Sequence, residues 1–188
     1  MLSSTQCTDC ASLQYNGFMS PRQKEPLTYE HALLGFVVST PLHAYALHLA
    51  LVRSPLGQVW HLKQSACYAM ISRLVDEAYI DADGEAQTAR GKRMLNITAP
   101  GHVAFATWIT APVAHPRDMR IEFLAKLYFA SKQSIAHRTA LITAQQAKIT
   151  HWYVDAHGVD QFTADVHAYR RGQIDAIALW LNHLAHAQ

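Results

Sequence analysis

The stretch from His61 to Thr98 limits what the chain can fold into more than any other part of the sequence. At about 100° per residue, three apolar side chains fall within about 40° of Cys67 and predict the buried seam of a helix. These side chains belong to Ile71, Leu74 and Ala78. The opposite face carries polar and small residues, namely Ser65, Tyr68, Ala69, Ser72, Arg73 and Asp76. That face has no apolar reason to be buried, so we expect it to lie at the surface.

A strand pattern follows this helix. The Asp and Gly residues of Asp81–Glu85 end the helix. The apolar–polar alternation of Leu95–Thr98 has the period of a strand and, with Ile80, predicts a two-stranded β-wing. Basic residues lie at the turn side of the second strand, where a wing tip would meet phosphates: Arg90, Lys92 and Arg93. A helix of this size fits the major groove of B-form DNA, so the helix and wing together indicate a nucleic-acid contact.

Two helices are predicted before the wing helix. Thr28 is a suitable cap for the first. Gly35 inside it costs about 1 kcal/mol relative to Ala, so we expect another backbone to pack closely there. Thr40 is a suitable cap for a second helix, His43–Val52, with Pro41 in the favoured first position. Three short helices and a hairpin are the parts of a winged helix-turn-helix.

The remainder of the chain is predicted to be almost entirely helical. Thr98 is a suitable cap for one more helix, and the prolines of Ala111–Pro116 then mark a linker. In the last helix, the apolar residues expected to form a dimer interface are Phe162, Val166, Tyr169, Ile174, Ile177, Leu181 and Leu184. The predicted fold class is mainly α. A flexible N-terminal tail over 1–25 precedes a winged helix-turn-helix over 26–110 and an α-helical dimerisation domain over 117–188.

Composition excludes several classes of protein. Of the 188 residues, 50% are hydrophobic, which is typical of a folded globular chain and not of a disordered one. The formal net charge of +2 excludes a strongly basic surface, so any nucleic-acid contact must be local. No apolar run is long enough to span a bilayer, and the N-terminus lacks the pattern of a signal peptide. The three cysteines are too few for a disulfide framework, which favours a cytoplasmic location.

Cysteine and histidine spacings do not predict a metal site. Cys7 and Cys10 have the spacing of a zinc or redox pair, but no second pair accompanies them. Two pairs one helical turn apart could hold one edge of a metal ion, namely His183 with His186 and His151 with Asp155. The sequence offers no third ligand for either pair. We therefore expect hydrogen-bonded or surface histidines and no cofactor.

Short motifs in the right order resemble the PadR family of winged-helix transcriptional regulators, in the PadR/AphA-like form with a helical C-terminal domain. The motifs are Ala32–Gly35, Pro41–Leu47, Tyr68–Leu74, Asn96–Gly101 and Arg117–Phe129. They resemble, in that order, the family's first helix, second helix, recognition helix, exit from the wing and start of the C-terminal domain. Two glycines of the family pattern are replaced here by Ala44 and Ala78. The resemblance covers all but the N-terminal tail.

The resemblance implies a bacterial, homodimeric regulator of transcription, with repression favoured over activation. Two winged domains would bind a pseudo-palindromic operator with half-sites about one helical turn apart. The residues expected to contact DNA are Tyr45, Lys63, Gln64, Ser65, Tyr68, Ser72, Arg73, Arg90, Lys92 and Arg93. Among them, the tyrosine at 45 is expected to contact phosphate, and the three basic wing residues could enter a minor groove.

Aromatic side chains suggest a small-molecule effector. Trp60, Trp108, Tyr128, Phe129 and Trp152 could line a cavity between the two domains. The family resemblance makes a phenolic acid the expected ligand, for which aromatic walls are suitable. The alternative is that these side chains are anchors of helix packing and of the dimer.

Other interpretations remain open from the sequence. The basic wing cluster has the composition of an ordinary solvated turn, and the two tyrosines of the DNA set could be packing residues. A winged-helix scaffold that binds protein instead of DNA is an alternative, although an uncharged wing would be its mark. An enzyme is not expected, because no nucleophile with a base, carboxylate pair or phosphate-binding loop is recognisable.

Overall fold

The computed structural model describes residues 27–82, 93–154 and 160–186. The predicted N-terminal tail, the wing tip and the segment with Asp155 lie outside these residues. The helices are α1 (Thr28–Ser39), α2 (Ala44–Arg53), α3 (Leu56–Val59), α4 (Gln64–Asp76), α5 (Ala99–Thr110), α6 (Glu122–Gln133), α7 (Ile135–Ile149) and α8 (Gln161–His186). The strands are β1 (Leu42–His43), β2 (Ile80–Asp81) and β3 (Met94–Ile97), and short 3₁₀ turns occupy Pro116–Met119 and Thr150–Trp152. The predicted mainly α class with a small wing is confirmed.

The wing is part of an antiparallel sheet with the strand order β1-β3-β2. Ile80 pairs with Ile97 in the predicted hairpin, and Leu42 pairs with Leu95 on the other side of β3. The strand β1 was not predicted. Thr40 therefore does not cap the second helix, since its hydroxyl donates to the Ser39 carbonyl and α2 begins only at Ala44.

The start of α1 also differs from the prediction. Leu27, not Thr28, is the N-cap residue of α1. The Leu27 N–H donates to the Glu30 carboxylate at 2.7 Å, which satisfies one N–H at the helix start. The Thr28 hydroxyl instead donates to Glu122 of α6 at 3.1 Å. The Thr28 hydroxyl, which the local sequence assigns to capping, is thus used in a contact with a residue distant in the sequence.

The seam of α4 is confirmed for three of its four residues. Cys67, Ile71 and Leu74 are buried. Ala78 is wrong as a seam residue, because it is exposed and lies beyond the helix with a φ of 58°. This left-handed conformation favours glycine, and Ala78 adopts it because the chain must turn from α4 into β2.

The C-terminal side of the wing follows the prediction closely. Thr98 is the N-cap of α5, and its hydroxyl accepts a hydrogen bond from the Gly101 N–H at 3.2 Å. The same hydroxyl lies 2.7 Å from the Ala78 carbonyl, to which it can donate. This residue therefore joins the end of α4 to the start of α5.

Gly35 is a close-contact position, as expected, but side chains and not a backbone approach it. A Cβ atom there would lie 2.7 Å from the rings of Phe105 and Phe129. These rings meet edge to face, with their centroids 5.5 Å apart. The glycine thus lets aromatic residues of α5 and α6 pack directly on the α1 backbone.

The predicted linker is held in place by side chains of the C-terminal helices. Gln145 is fully buried, accepts from the Val113 N–H at 2.7 Å and donates to the Val113 carbonyl at 3.3 Å. Trp152 donates to the Ala114 carbonyl at 2.7 Å. The segment is therefore a connector in which the backbone of Val113 and the carbonyl of Ala114 are hydrogen-bonded to side chains of the protein.

One apolar core extends across the connector. It includes Leu33 of α1, Leu74 of α4, Phe123 of α6 and Leu181 of α8. The boundaries 26–110 and 117–188 thus remain a prediction about sequence units. None of the helices within the described residues is long and apolar enough to cross a membrane.

Candidate nucleic-acid interface

The polar face of α4 lies at the surface, as its sequence predicts. The exposed residues on this face are Gln64, Ser65, Tyr68, Ala69, Ser72, Arg73 and Asp76. Gln64 donates to the Tyr68 hydroxyl one turn later at 2.9 Å. This contact orders two polar side chains at the exposed start of the helix. The face therefore presents hydrogen-bonding groups on a rigid element, backed by the buried seam.

The N-terminus of α4 is open to an anion. Lys63 is the N-cap residue, and no side chain of the described residues caps the helix there. The first turn carries no acidic residue. The leading N–H groups of a helix have no acceptor within it, and the helix dipole places partial positive charge beside them. Together with the exposed Lys63 ammonium group, they form a favourable environment for phosphate.

A surface depression of about 480 Å³ separates α4 from β3 and the start of α2. Four residues predicted to contact DNA line it, namely Tyr45, Tyr68, Ser72 and Arg93. Its apolar lining includes Ile71, Val75 and Leu95, and Asp76 adds a carboxylate. The fold thus brings residues from three elements to one surface, although they are up to 48 positions apart in the sequence.

Arg73 has a structural partner that the sequence did not reveal. Its guanidinium group forms an ion pair with Glu30 of α1. The Glu30 side chain is only 6% exposed, whereas that of Arg73 is 54% exposed. Arg73 therefore holds α4 against α1 with one edge of its guanidinium group, and only its exposed part is left for phosphate.

Of the three basic wing residues predicted to contact DNA, the structure describes Arg93. Arg93 is exposed at the start of β3 and lines the depression. Arg90 and Lys92 lie outside the described residues, so their contact with DNA stays a prediction.

The aromatic residues predicted to line an effector cavity are packing residues where the structure describes them. Trp60 is 3% exposed, and its ring centroid lies 4.6 Å from that of Tyr29. Phe129 packs on Tyr128 at 5.0 Å. Trp108 stacks on His31, with centroids 5.2 Å apart, and Trp152 donates to the connector. These contacts favour the alternative that the side chains anchor helices.

The residues predicted for a dimer interface divide into two groups along α8. Phe162, Val166 and Tyr169 are exposed, at 76%, 38% and 66%. Ile174 and Leu181 are buried in the core of the chain itself, which leaves them no surface for a partner. Ile177 and Leu184 are partly buried against the same core. The residues of the predicted set that are most available to a second chain therefore lie in the first turns of α8.

Cys67 behaves as an apolar core residue. Burial raises the pKa of its thiol to about 11, so the thiolate that would react or bind metal is disfavoured. Within the described residues, no group of three His, Cys, Asp or Glu side chains is placed to hold a metal ion. His186 contacts the Asn182 carbonyl at 2.6 Å, a local contact within α8.

Two carboxylates were missed as parts of this region. Glu30 and Glu122 join α1 to α4 and to α6, respectively. The position of Glu30 in the first turn of α1 pointed only to helix capping. No local pattern pairs either residue with its distant partner, so only homologous sequences or a structure would reveal these contacts.

Comparison with known proteins supports the family resemblance. No family model matches the chain. The negative transcriptional regulator PadR of Bacillus subtilis (strain 168) is 28% identical over 120 residues, which are 63% of this chain and 65% of that protein. The chain thus aligns with just under two thirds of this relative, which is named as a regulator and not as an enzyme.

Solved structures of Bacillus subtilis PadR give low-scoring overlaps. The complex with operator DNA has a TM-score of 0.43 and 21% identity, covering 85% of this chain and 97% of that one. The complex with p-coumaric acid has a TM-score of 0.42 and 22% identity, covering 85% and 98%. It is the sequence similarity to the curated regulator that confirms the resemblance of this chain to the PadR family.

Proposed function

We propose that this protein is a DNA-binding regulator of transcription that inserts α4 into the major groove of duplex DNA. The observation that carries the proposal is the exposed polar face of α4, next to a depression ringed by Tyr45, Tyr68, Ser72 and Arg93. The name of the curated relative, a negative transcriptional regulator, supports the same function and favours repression.

The contacts divide into those that position the protein and those that read bases. Lys63, at the open N-terminus of α4, and Arg93, at the base of the wing, are suited to phosphate. Gln64 has the amide geometry that reads the N6 and N7 atoms of adenine. Because Gln64 uses only one N–H on Tyr68, its carbonyl and second N–H remain for a base.

We further propose that the protein acts as a homodimer. A net charge of +2 gives a single copy few phosphate contacts, and pairing two copies doubles them. The exposed apolar side chains of Phe162, Val166 and Tyr169 share one face of α8 and offer a surface for a second copy. The two α4 helices would then lie about 34 Å apart, as successive major grooves require.

A small aromatic acid, such as a phenolic acid, is the proposed effector, and the family resemblance alone supports it. A cytoplasmic, bacterial setting follows from the same resemblance. Because the aromatic residues predicted for the effector cavity pack in the core, a binding experiment with a phenolic acid is the test of the proposed effector.

Electrophoretic mobility with the DNA upstream of the protein's own gene tests the proposal. The wild-type chain should shift this fragment and not an unrelated fragment of equal length. Replacing Arg90, Lys92 and Arg93 by alanine should weaken binding and reduce the log–log salt slope by about 0.9 for each phosphate that the variant no longer neutralises. Circular dichroism must show that the variant remains folded.

A matched control removes the same charge elsewhere. Replacing Arg117, Arg120 and Lys132 by alanine takes three exposed cations from outside the winged part and outside the proposed dimer surface. This control should bind like the wild type. Equal weakening in both variants, or no specific shift by the wild type, would contradict the proposal and favour a protein-binding scaffold.

A further inference from the structure

The N-terminus of α1 makes polar contacts with two other helices. The Glu30 side chain, 6% exposed, accepts from the Leu27 N–H and forms the ion pair with Arg73 of α4. Thr28 donates to the Glu122 carboxylate of α6 at 3.1 Å. Neighbouring residues of one helical turn therefore contact the proposed recognition helix and the C-terminal helices. We call this set of contacts the α1 junction.

Glu122 is the most connected group of the α1 junction. Its carboxylate accepts from the Trp108 indole at 3.1 Å and from the Lys126 ammonium group at 2.8 Å, in addition to Thr28. The Lys126 side chain is only 3% exposed, and its ammonium group also donates to the Ala111 carbonyl at 2.8 Å. This carboxylate therefore connects α1, α5, α6 and, through Lys126, the connector.

Polar contacts of this kind constrain orientation in a way that apolar packing does not. Burial of apolar surface is non-directional, so helices can slide or rotate slightly at little cost. The hydrogen bonds that Glu122 accepts weaken steeply with misalignment and are about twice as strong as neutral ones because the acceptor is charged. The Glu30–Arg73 ion pair weakens as its two groups move apart. The α1 helix packs against both α4 and α6, so fixing it at both contacts fixes α4 relative to α6.

We propose that Glu30 and Glu122 are positioning residues that set the orientation of α4 relative to the C-terminal helices. The inference deepens the proposed function, on which it rests, by assigning the residues that place the DNA-reading helix. A change in the C-terminal helices reaches α4 through α1. Both carboxylates lie on other helices than α4, so the proposal assigns them no contact with DNA.

The distance between α4 and α6 tests the proposal without DNA. Spin labels at Ala69→Cys on α4 and Ser131→Cys on α6 are measured in the full chain, with Cys7 and Cys10 replaced by serine. Cys67 stays, since its thiol is fully buried and out of reach of the label. Dilution with unlabelled protein removes distances between copies. Glu30→Gln and Glu122→Gln are introduced separately, because each keeps the side-chain shape and removes the charge.

Both substitutions should broaden the distance distribution and weaken binding to the operator fragment by about 2- to 30-fold. The paired variant Arg117→Gln/Asp118→Gln, which removes an ion pair outside the α1 junction, should change neither quantity. A distance distribution that stays as narrow as the wild type in both Glu30→Gln and Glu122→Gln would overturn the inference.

A milder variant covers the case in which Glu122→Gln fails to fold. Thr28→Val removes one hydrogen bond from Glu122 and leaves both carboxylates and Lys126 in place. It should also broaden the distribution, and an unchanged distribution in it would count against the inference. If the wild type binds no DNA, the proposed function fails, while the distance measurement still decides the role of the α1 junction.

Discussion

The polar face of α4 and the α1 junction both place hydrogen-bonding groups around one helix, but in opposite environments. Tyr68 and Ser72 lie at the surface, where water satisfies them until a partner arrives. Glu30 and Lys126 are 5% and 2% exposed, and each forms an ion pair with a more exposed partner, Arg73 and Glu122, respectively. The polar face of α4 is thus available for recognition, whereas the buried groups of the α1 junction hold helices together. Substitutions on the polar face should therefore change DNA binding without changing stability, whereas substitutions in the α1 junction should change stability as well.

The largest expected effect is on the stability of the α1 junction. Glu122→Ala should reduce the free energy of unfolding by about 3–5 kcal/mol, because it leaves the Lys126 ammonium group buried without its counterion. Denaturant unfolding measures this. Asp118→Ala, which breaks an ion pair with a mostly exposed arginine, should cost less than about 1 kcal/mol. Similar destabilisation in both variants would show that the Glu122 carboxylate contributes no more to stability than an exposed partner of an ion pair.

A smaller effect, of opposite sign, is expected where α4 ends. Ala78→Gly should stabilise the protein by about 0.5–1 kcal/mol, because glycine adopts the left-handed conformation without the cost that Ala78 bears. The gain is limited by the greater freedom of glycine in the unfolded chain. Ala69→Gly, in the exposed middle of α4, should instead destabilise by about 1 kcal/mol. Thermal unfolding of both variants tests the contrast, and a destabilised Ala78→Gly would refute it.

On the exposed surface, Tyr45→Phe should change binding and not stability. Tyr45 is 49% exposed, so loss of its hydroxyl leaves the core intact. Loss of one hydrogen bond to phosphate should weaken DNA binding by about 0.5–1.5 kcal/mol, roughly 2- to 13-fold. Fluorescence anisotropy measures the affinity. Tyr153→Phe, an exposed tyrosine outside both the DNA-binding set and the proposed dimer surface, serves as the control, and equal weakening there would rule out a specific role for Tyr45.

The smallest expected effect is a change in how the stability of the protein depends on pH when Glu122 of the α1 junction is replaced. Burial alone would raise the pKa of Glu122, but hydrogen bonds from Lys126, Thr28 and Trp108, with the Lys126 charge, lower it below its ordinary 4.5. Its carboxylate therefore stabilises the fold fully above the unfolded-state pKa, and this contribution is lost as the pH falls through the lower folded-state value. Glu122→Gln should reduce the acid-side loss of stability. If the stability of Glu122→Gln falls with decreasing pH just as that of the wild type does, ionised Glu122 does not contribute to the pH dependence.

Local pattern was a good guide to the winged part. The spacing of Cys67, Ile71 and Leu74 predicted which face of α4 is buried, and Thr98 predicted the start of α5. The errors fall where a distant partner competes with a local preference. Thr28 leaves its predicted capping role for Glu122, and the residues before α2 pair with β3 instead of extending the helix.

The division of α8 shows the same limit. Phe162 and Ile174 are both apolar and were both assigned to an interface, yet one is 76% and the other 3% exposed. Helical spacing identifies residues that share a face, but it does not say how far along the helix a neighbouring element covers that face. Only the positions of the packed helices show which residues of α8 belong to the core of the chain and which are exposed to a second chain.

The sequence by itself determined the longer helices, the pairing of Ile80 with the Leu95–Thr98 strand and the polar face of α4, because each depends on the periodicity of neighbouring residues. The short helix α3 was not predicted. Tertiary structure alone decided that Tyr45 and Arg93 meet beside α4, that Gln145 fixes the connector, and that Glu30 pairs with Arg73. The physical reason is that hydrophobic periodicity is a property of neighbouring residues, so it can be identified in the sequence. A hydrogen bond or ion pair between distant residues depends on how the helices are placed relative to one another. No local sequence pattern indicates that placement.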